Sequence, residues 1–294
     1  MSDTLPTPSP TIGRKRSPAH QILTLFGDYW WGVPESLPTG AVLASMADLG
    51  VKAPAARASL ARLTDRGLLE MTKTGRRTSH ALTDRGRAIM TEEADWLRRF
   101  GQEDPDWDGL WSAIFFSIPE KNRPLRHAAR TRLRWLGYAP LYDGVWISPF
   151  DSVSRITAEL ASLGVLEIAS LRGALTVATG DTPMRAWDLT SLRGEYEEFL
   201  ARLGDCTEPV VAGPHPHAAL ALRTSFMLTW QSFRHADPGH PMTLMPPDWP
   251  RARAREAFVS IYNALGPAAE ERVRAHIAQI APGLDGLVTS QRFG

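Results

Sequence analysis

Glycines at 50, 67 and 75 and a proline at 54 divide residues 39–83 into short pieces. That punctuation constrains the fold of the first third of the chain more than any other feature. Thr39 is placed as an N-cap, Val42, Leu43 and Met46 form an apolar helical face, and Gly50 follows the helix end. Val51-Lys52-Ala53 is a tight connection to Pro54, and proline is favoured in a first helical turn. A helix is expected from Pro54 to Arg66, stopped by Gly67. Its inward stripe is Ala56, Leu60 and Leu63. At 100° per residue, Ala55, Ala58, Arg62 and Asp65 project away from that stripe, and Arg57 and Ser59 flank it. Residues 68–83, LLEMTKTGRRTSHALT, then read as two strands around a turn at Gly75.

Helical spacing also precedes this block, in Ile22, Leu23, Leu25 and Phe26, and follows it from Asp84 to Phe100. Helix, helix, tight turn, helix and basic hairpin is the order of a winged helix-turn-helix. The net charge of +1 conceals a split that agrees with this order. Residues 1–90 hold 12 Lys and Arg against 7 Asp and Glu, and residues 91–294 hold 21 against 25. A basic first third suits a phosphate-rich partner. The expected DNA contacts are Arg57, Ser59 and Arg62 on the reading helix and Lys73, Arg76 and Arg77 on the hairpin. Helix arginines suit guanine edges, Ser59 can donate to a phosphate, and the hairpin cations suit phosphates or the minor groove.

GQEDPDWDG (101–109) reads as an acidic linker, after which the pattern changes. A buried strand at 110–118, a helix at 123–137, a hairpin about Asp143-Gly144, a helix capped by Ser152 and a final strand give the order βαββαβ, a ferredoxin-like unit. From Pro183 onward the spacing is helical, interrupted by the rigid DPGHPMTLMPPDWP. The expected division is a disordered tail at 1–18, a winged helix-turn-helix DNA-binding domain at 19–100, a ferredoxin-like dimerisation or ligand-sensing domain at 107–180 and a helical C-terminal domain at 183–294. The fold class is therefore α+β multidomain.

Arg123, Arg126, Arg130 and Arg134 form one stripe on the first helix of the middle domain. The stripe reads either as a solvated face or as a site for the phosphates of coenzyme A or a second DNA contact, since the guanidinium fork binds two oxygens. Trp146 and Trp230 are among the tryptophans placed to wall a flat aromatic pocket, although most of the ten tryptophans are expected in cores.

Several chemistries find little footing. Cys206 is the one cysteine, which rules out an intrachain disulfide and fits a reducing, cytoplasmic compartment. No run approaches the length of a membrane span, so no membrane partner is expected. His215 and His217 form an H-x-H pair in a proline-broken loop without the further ligands a zinc site needs, so no metal is expected. Neither a P-loop lysine nor a G-x-G-x-x-G occurs, and no catalytic residue is assigned.

Three strings carry a family likeness in the same order along the chain. TLFGDYW, AARASLARLTDRGLLE and GRRTSHALTDRG resemble the first domain of the PaaX family, the repressors of phenylacetate-degradation operons. WSAIFFSIPEKNRPLRHAARTRLRWLGYAPLYDGVWISP is similar to its middle domain, and TSFMLTWQSFRHADPGHPMTLMPPDWPRARAREAF to its last. The resemblance implies a homodimeric repressor bound to double-stranded operator DNA. It also implies release by an acyl-CoA effector, phenylacetyl-CoA or another aryl-CoA thioester, with no resident cofactor. The reading helix falls on Pro54–Arg66 and the wing on Leu68–Thr83. The family's wing commonly carries an aromatic residue shortly after the GRR run, where this chain has Ser79-His80.

Two alternatives stand beside this reading. FFSIPEKNR resembles the ferredoxin-like nucleases of CRISPR adaptation, but Ser117 stands where those enzymes carry a metal-binding acid, so the protein is not expected to be an enzyme. The other alternative is an interaction scaffold that does not bind DNA.

Overall fold

The computed structural model describes residues 17–177, 182–206 and 215–294, and the chain divides into two compact units. One contains residues 17–102, 197–206, 215–233 and 251–294. The other contains residues 103–177, 182–196 and 234–250. The expected tail at 1–18 lies almost wholly outside the described residues. Its last two positions are helical in role: Ser17 Oγ accepts from the His20 backbone N–H, and Pro18 starts the first helix.

The first unit begins with α1 (Pro18–Tyr29), the short strand β1 (Leu37–Pro38), α2 (Thr39–Asp48) and α3 (Ala53–Asp65). Strands β2 (Leu69–Thr74) and β3 (Arg77–Leu82) follow, then α4 (Asp84–Arg99). The sheet order is β1-β3-β2, all antiparallel, and Thr74 faces Arg77 across the turn. Gly50 and Gly67 take positive φ and end α2 and α3 in the same way: the glycine N–H bonds back to Ala47 or Thr64, and the next N–H bonds to Met46 or Leu63. This double bond after α3 sends the chain directly into β2.

Ile22, Leu25, Phe26, Val42, Met46, Leu60 and Leu63 are buried within this unit. So are residues far away in sequence, from α8 (Pro216–Ala236) and α9 (Arg251–Ile280), with α7 (Leu189–Asp205) contributing Phe199 and Leu203. Trp230 is the hub of this region. Its ring lies nearly parallel to Phe258 at 5.1 Å and is ringed by Phe100, Phe233 and Phe199. The helical C-terminal segment at 183–294 carries α7, α8 and α9. Much of it shares a core with α1 and α2, because buried polar groups tie the two ends of the chain together. Tyr262 Oη donates to Asp28 at 2.7 Å, and the fully buried Arg223 faces the same carboxylate.

The second unit is a four-stranded antiparallel sheet of order β5-β6-β4-β7. Its elements are β4 (Trp111–Phe116), α5 (Arg123–Trp135), β5 (Ala139–Tyr142), β6 (Val145–Ser148), α6 (Val153–Ser162) and β7 (Ile168–Gly173). That is the ferredoxin-like βαββαβ arrangement. Ile114, Ala129, Leu133, Trp146, Ile156 and Leu160 form the core beneath α5 and α6. Ser152 sits at the N-cap position of α6, but its hydroxyl donates to Tyr138 Oη at 3.0 Å instead of capping the helix. The proline-rich crossing belongs to this unit as well: Asp237 accepts from Tyr196 Oη at 2.7 Å, and Trp249 packs edge-on to Tyr196.

Candidate nucleic-acid interface

Helix α3 turns a face of small and basic side chains to solvent. Ala55, Arg57, Ala58, Ala61, Arg62 and Asp65 are exposed, while Ala56, Leu60 and Leu63 are buried. This is the division that the 3.6-residue period dictates. Ser59 departs from expectation. It is 0% exposed, its hydroxyl donates to the Ala55 carbonyl at 2.9 Å, and it accepts from Arg62 Nη2 at 2.8 Å. A buried hydroxyl with both roles filled has no means of reaching a phosphate. Its role is to anchor the Arg62 guanidinium, and the signal was present in the sequence as an i, i+3 Ser–Arg spacing.

Lys73, Arg76 and Arg77 are exposed around the β2–β3 turn, and five of the six β2 residues face solvent. The hairpin base is fixed by a polar chain that sequence reasoning missed. Thr78 Oγ1 donates to Thr39 Oγ1 at 2.8 Å, and Thr39 Oγ1 lies 3.1 Å from His80 Nδ1. Thr39 is therefore not the side-chain cap of α2. It is the first helical residue, and the N-cap position falls on Pro38, which has no hydroxyl. His80 is buried, and desolvation lowers the pKa of its imidazole, which favours the neutral ring. The position that reads as a departure from the family's aromatic wing is thus a hydrogen-bonding point beneath the hairpin.

The proposed ligand residues separate into different environments. Arg126 donates to the Ile118 carbonyl at 2.8 Å, Arg130 reaches Asp143 at 3.3 Å, and Arg134 lies over the Trp146 ring at 5.4 Å. Arg123 approaches the exposed Glu120 at 3.9 Å. The stripe is therefore largely engaged in holding α5 to its own sheet. Trp146 and Trp230 are both buried, Trp146 in the core of the second unit and Trp230 in the core of the first. Stacked rings leave Trp230 no open face. One cavity of the second unit, about 340 Å³, is lined by Asp106, Trp107, Asp108, Phe150, Asp151 and Arg172. Its carboxylates are ill matched to the phosphates of a coenzyme A ester.

His217 of the H-x-H pair bonds to Asp48 at 3.0 Å, and His215 Nδ1 accepts from the His217 backbone N–H. Among the described residues, no group of three or more His, Cys, Asp or Glu is placed to share a metal ion. Burial raises the pKa of the Cys206 thiol, away from the reactive thiolate.

The fold and these surfaces define an α+β protein with a ferredoxin-like unit and a helical unit that exposes a basic hairpin. The PaaX-like protein family matches residues 17–86, the PaaX protein central Cas2-like domain residues 104–184, and the PaaX-like protein C-terminal domain residues 187–275. The chain belongs to the PaaX family. It is 24% identical over 287 residues to the transcriptional repressor PaaX of Escherichia coli (strain K12), covering 93% of this chain and 89% of the relative. An uncharacterized protein from Mycobacterium tuberculosis shares the fold, with TM-score 0.55, 22% identity, and coverage of 86% of this chain and 97% of that one. Among the described residues, no helix is long and apolar enough to cross a membrane.

Proposed function

We propose that this protein is a DNA-binding transcriptional repressor of an aromatic-acid, phenylacetate-type catabolic operon. The observation that carries the DNA-binding part is the pairing, within one unit, of an exposed small-and-basic helix face with an exposed basic hairpin. The first three helices and the hairpin act as a winged helix-turn-helix, in which α3 enters the major groove through Arg57 and Arg62. Lys73, Arg76 and Arg77 hold the phosphate backbone. A homodimer presents two copies of α3 to half-sites roughly 34–36 Å apart. The repressor role and its operon class are carried over from the family and its Escherichia coli member.

The effector is an aryl-CoA thioester that binds the DNA-incompetent arrangement more tightly, since equal affinity for both arrangements shifts nothing. The test is fluorescence anisotropy with the duplex upstream of the protein's own gene, titrated with and without phenylacetyl-CoA. Specific binding relieved by the thioester supports the whole reading. Binding that ignores the thioester removes the effector alone, and failure to bind at moderate salt removes the DNA-binding role. Cutting of the duplex in magnesium or manganese would favour a nuclease.

A further inference from the structure

Asp48 is the last residue of α2, the helix that precedes the reading helix. A carboxylate there opposes the helix dipole, whose negative end lies at the C-terminus, so isolated α2 is disfavoured by this choice. Tertiary contacts reverse the balance. The Asp48 side chain is 8% exposed, and Arg272 of α9 grips it with both arms, Nε to Oδ2 at 2.7 Å and Nη2 to Oδ1 at 3.0 Å. His276 Nε2 lies 2.7 Å from Oδ2, and His217 Nδ1, near the start of α8, lies 3.0 Å from Oδ1. Burial pushes this carboxyl pKa up, but the hydrogen bonds from Arg272 and the two imidazoles outweigh it and hold the pKa well below the usual range. At the other end of α2, Gly40 faces α9 again: a Cβ there would meet Ile280 Cδ1 at 3.0 Å. Helix α9 therefore brackets α2 at both of its ends.

We propose that Asp48 is a positioning residue through which α8 and α9 set the posture of α2 and, through the short Val51-Lys52 connection, of α3. The DNA-reading unit is then a composite of both ends of the chain, and motion of the C-terminal helices has a direct mechanical route to the reading helix. A residue that breaks a local helix rule and is compensated by three partners from distant helices is where such a coupling is expected. This inference rests on the DNA-binding reading above.

The test uses full-length Asp48→Asn, Arg272→Ala and His276→Gln, and reads amide hydrogen exchange together with duplex affinity well below the melting temperature. The expected result is faster exchange concentrated in residues 39–66 and duplex affinity weakened by about tenfold. The salt slope should be unchanged, because no phosphate contact is lost. Asp48→Asn combined with Arg272→Ala should be no worse than either alone. Unchanged exchange at 39–66, or exchange raised evenly along the chain, overturns the coupling. If wild-type protein binds no duplex, the DNA-binding reading fails, and the exchange measurement still decides whether Asp48 holds α2.

Discussion

Arg62 directs its guanidinium back along its own helix to the buried hydroxyl of Ser59, 2.8 Å away, and that hydroxyl donates onward to the Ala55 carbonyl at 2.9 Å. An arginine held in this way has lost part of its rotamer freedom before any partner arrives, which favours recognition over loose attraction. Ser59→Ala should change stability by no more than about 1 kcal/mol, because alanine is a better helix former and partly offsets the loss of two local hydrogen bonds, to the Ala55 carbonyl and from Arg62. It should nevertheless blunt discrimination between operator variants. Arg62→Ala should relax discrimination at one base pair by about 1–3 kcal/mol. Competition binding against a set of single-base variants checks both, and an even loss across all sequences would make Arg62 a phosphate contact.

The hairpin arginines make a different prediction. Arg76→Ala with Arg77→Ala should weaken binding to every duplex alike and reduce the slope of log K against log salt by up to about two. Titrations at several salt concentrations measure it, and an unaltered slope would take the hairpin out of the interface.

His80 ties stability to pH. Burial lowers its folded-state pKa below the unfolded value of 6.5. The unfolded chain therefore takes up a proton before the folded one does. The contribution is fully present above about pH 6.5 and is lost as pH falls through the folded pKa. Thr39 of α2 bonds the ring, and Leu37 and Met71 are the register partners of His80 on the neighbouring strands. Melting temperatures of wild type and His80→Gln across pH 5–8 should differ in slope on the acid side, with the variant flatter. Parallel curves would show that the ring does not titrate differently on folding.

Arg223 is 0% exposed and serves several acceptors at once. It donates to the carbonyls of Tyr262 and Gln291 and faces Asp28 at 3.7 Å. Arg223→Met should destabilise by about 3–5 kcal/mol, since it leaves a buried carboxylate with Tyr262 as its remaining partner. Adding Asp28→Asn should recover part of that loss, as neutralising the orphaned charge removes most of the penalty. Calorimetry on the single and double variants checks the coupling, and strict additivity would deny it.

Much of the local architecture was legible because it is governed by short-range rules. The glycines at 50 and 67 are where L side chains fit poorly, so the ends of α2 and α3 could be read directly. The turn at Gly75 and the βαββαβ order were readable for the same reason, and the exposed face of α3 followed from helical period alone. Ser59 was misplaced because period gives direction but not the depth at which a small side chain is covered. Thr39 was misassigned because a hydroxyl beside a helix start suits either a cap or a cross-strand partner, and only the approach of β3 selects between them.

The sequence by itself determined the family, the order of the elements and the basic character of the hairpin, all of which depend on neighbouring residues or on residue type. The tertiary structure alone decided that the two ends of the chain share a core, with Asp48 held by Arg272 and His276 and Asp28 held by Tyr262. The physical reason is that a buried charge must find its partner in space, and these partners lie more than two hundred residues away along the chain, where no periodicity or spacing rule reaches.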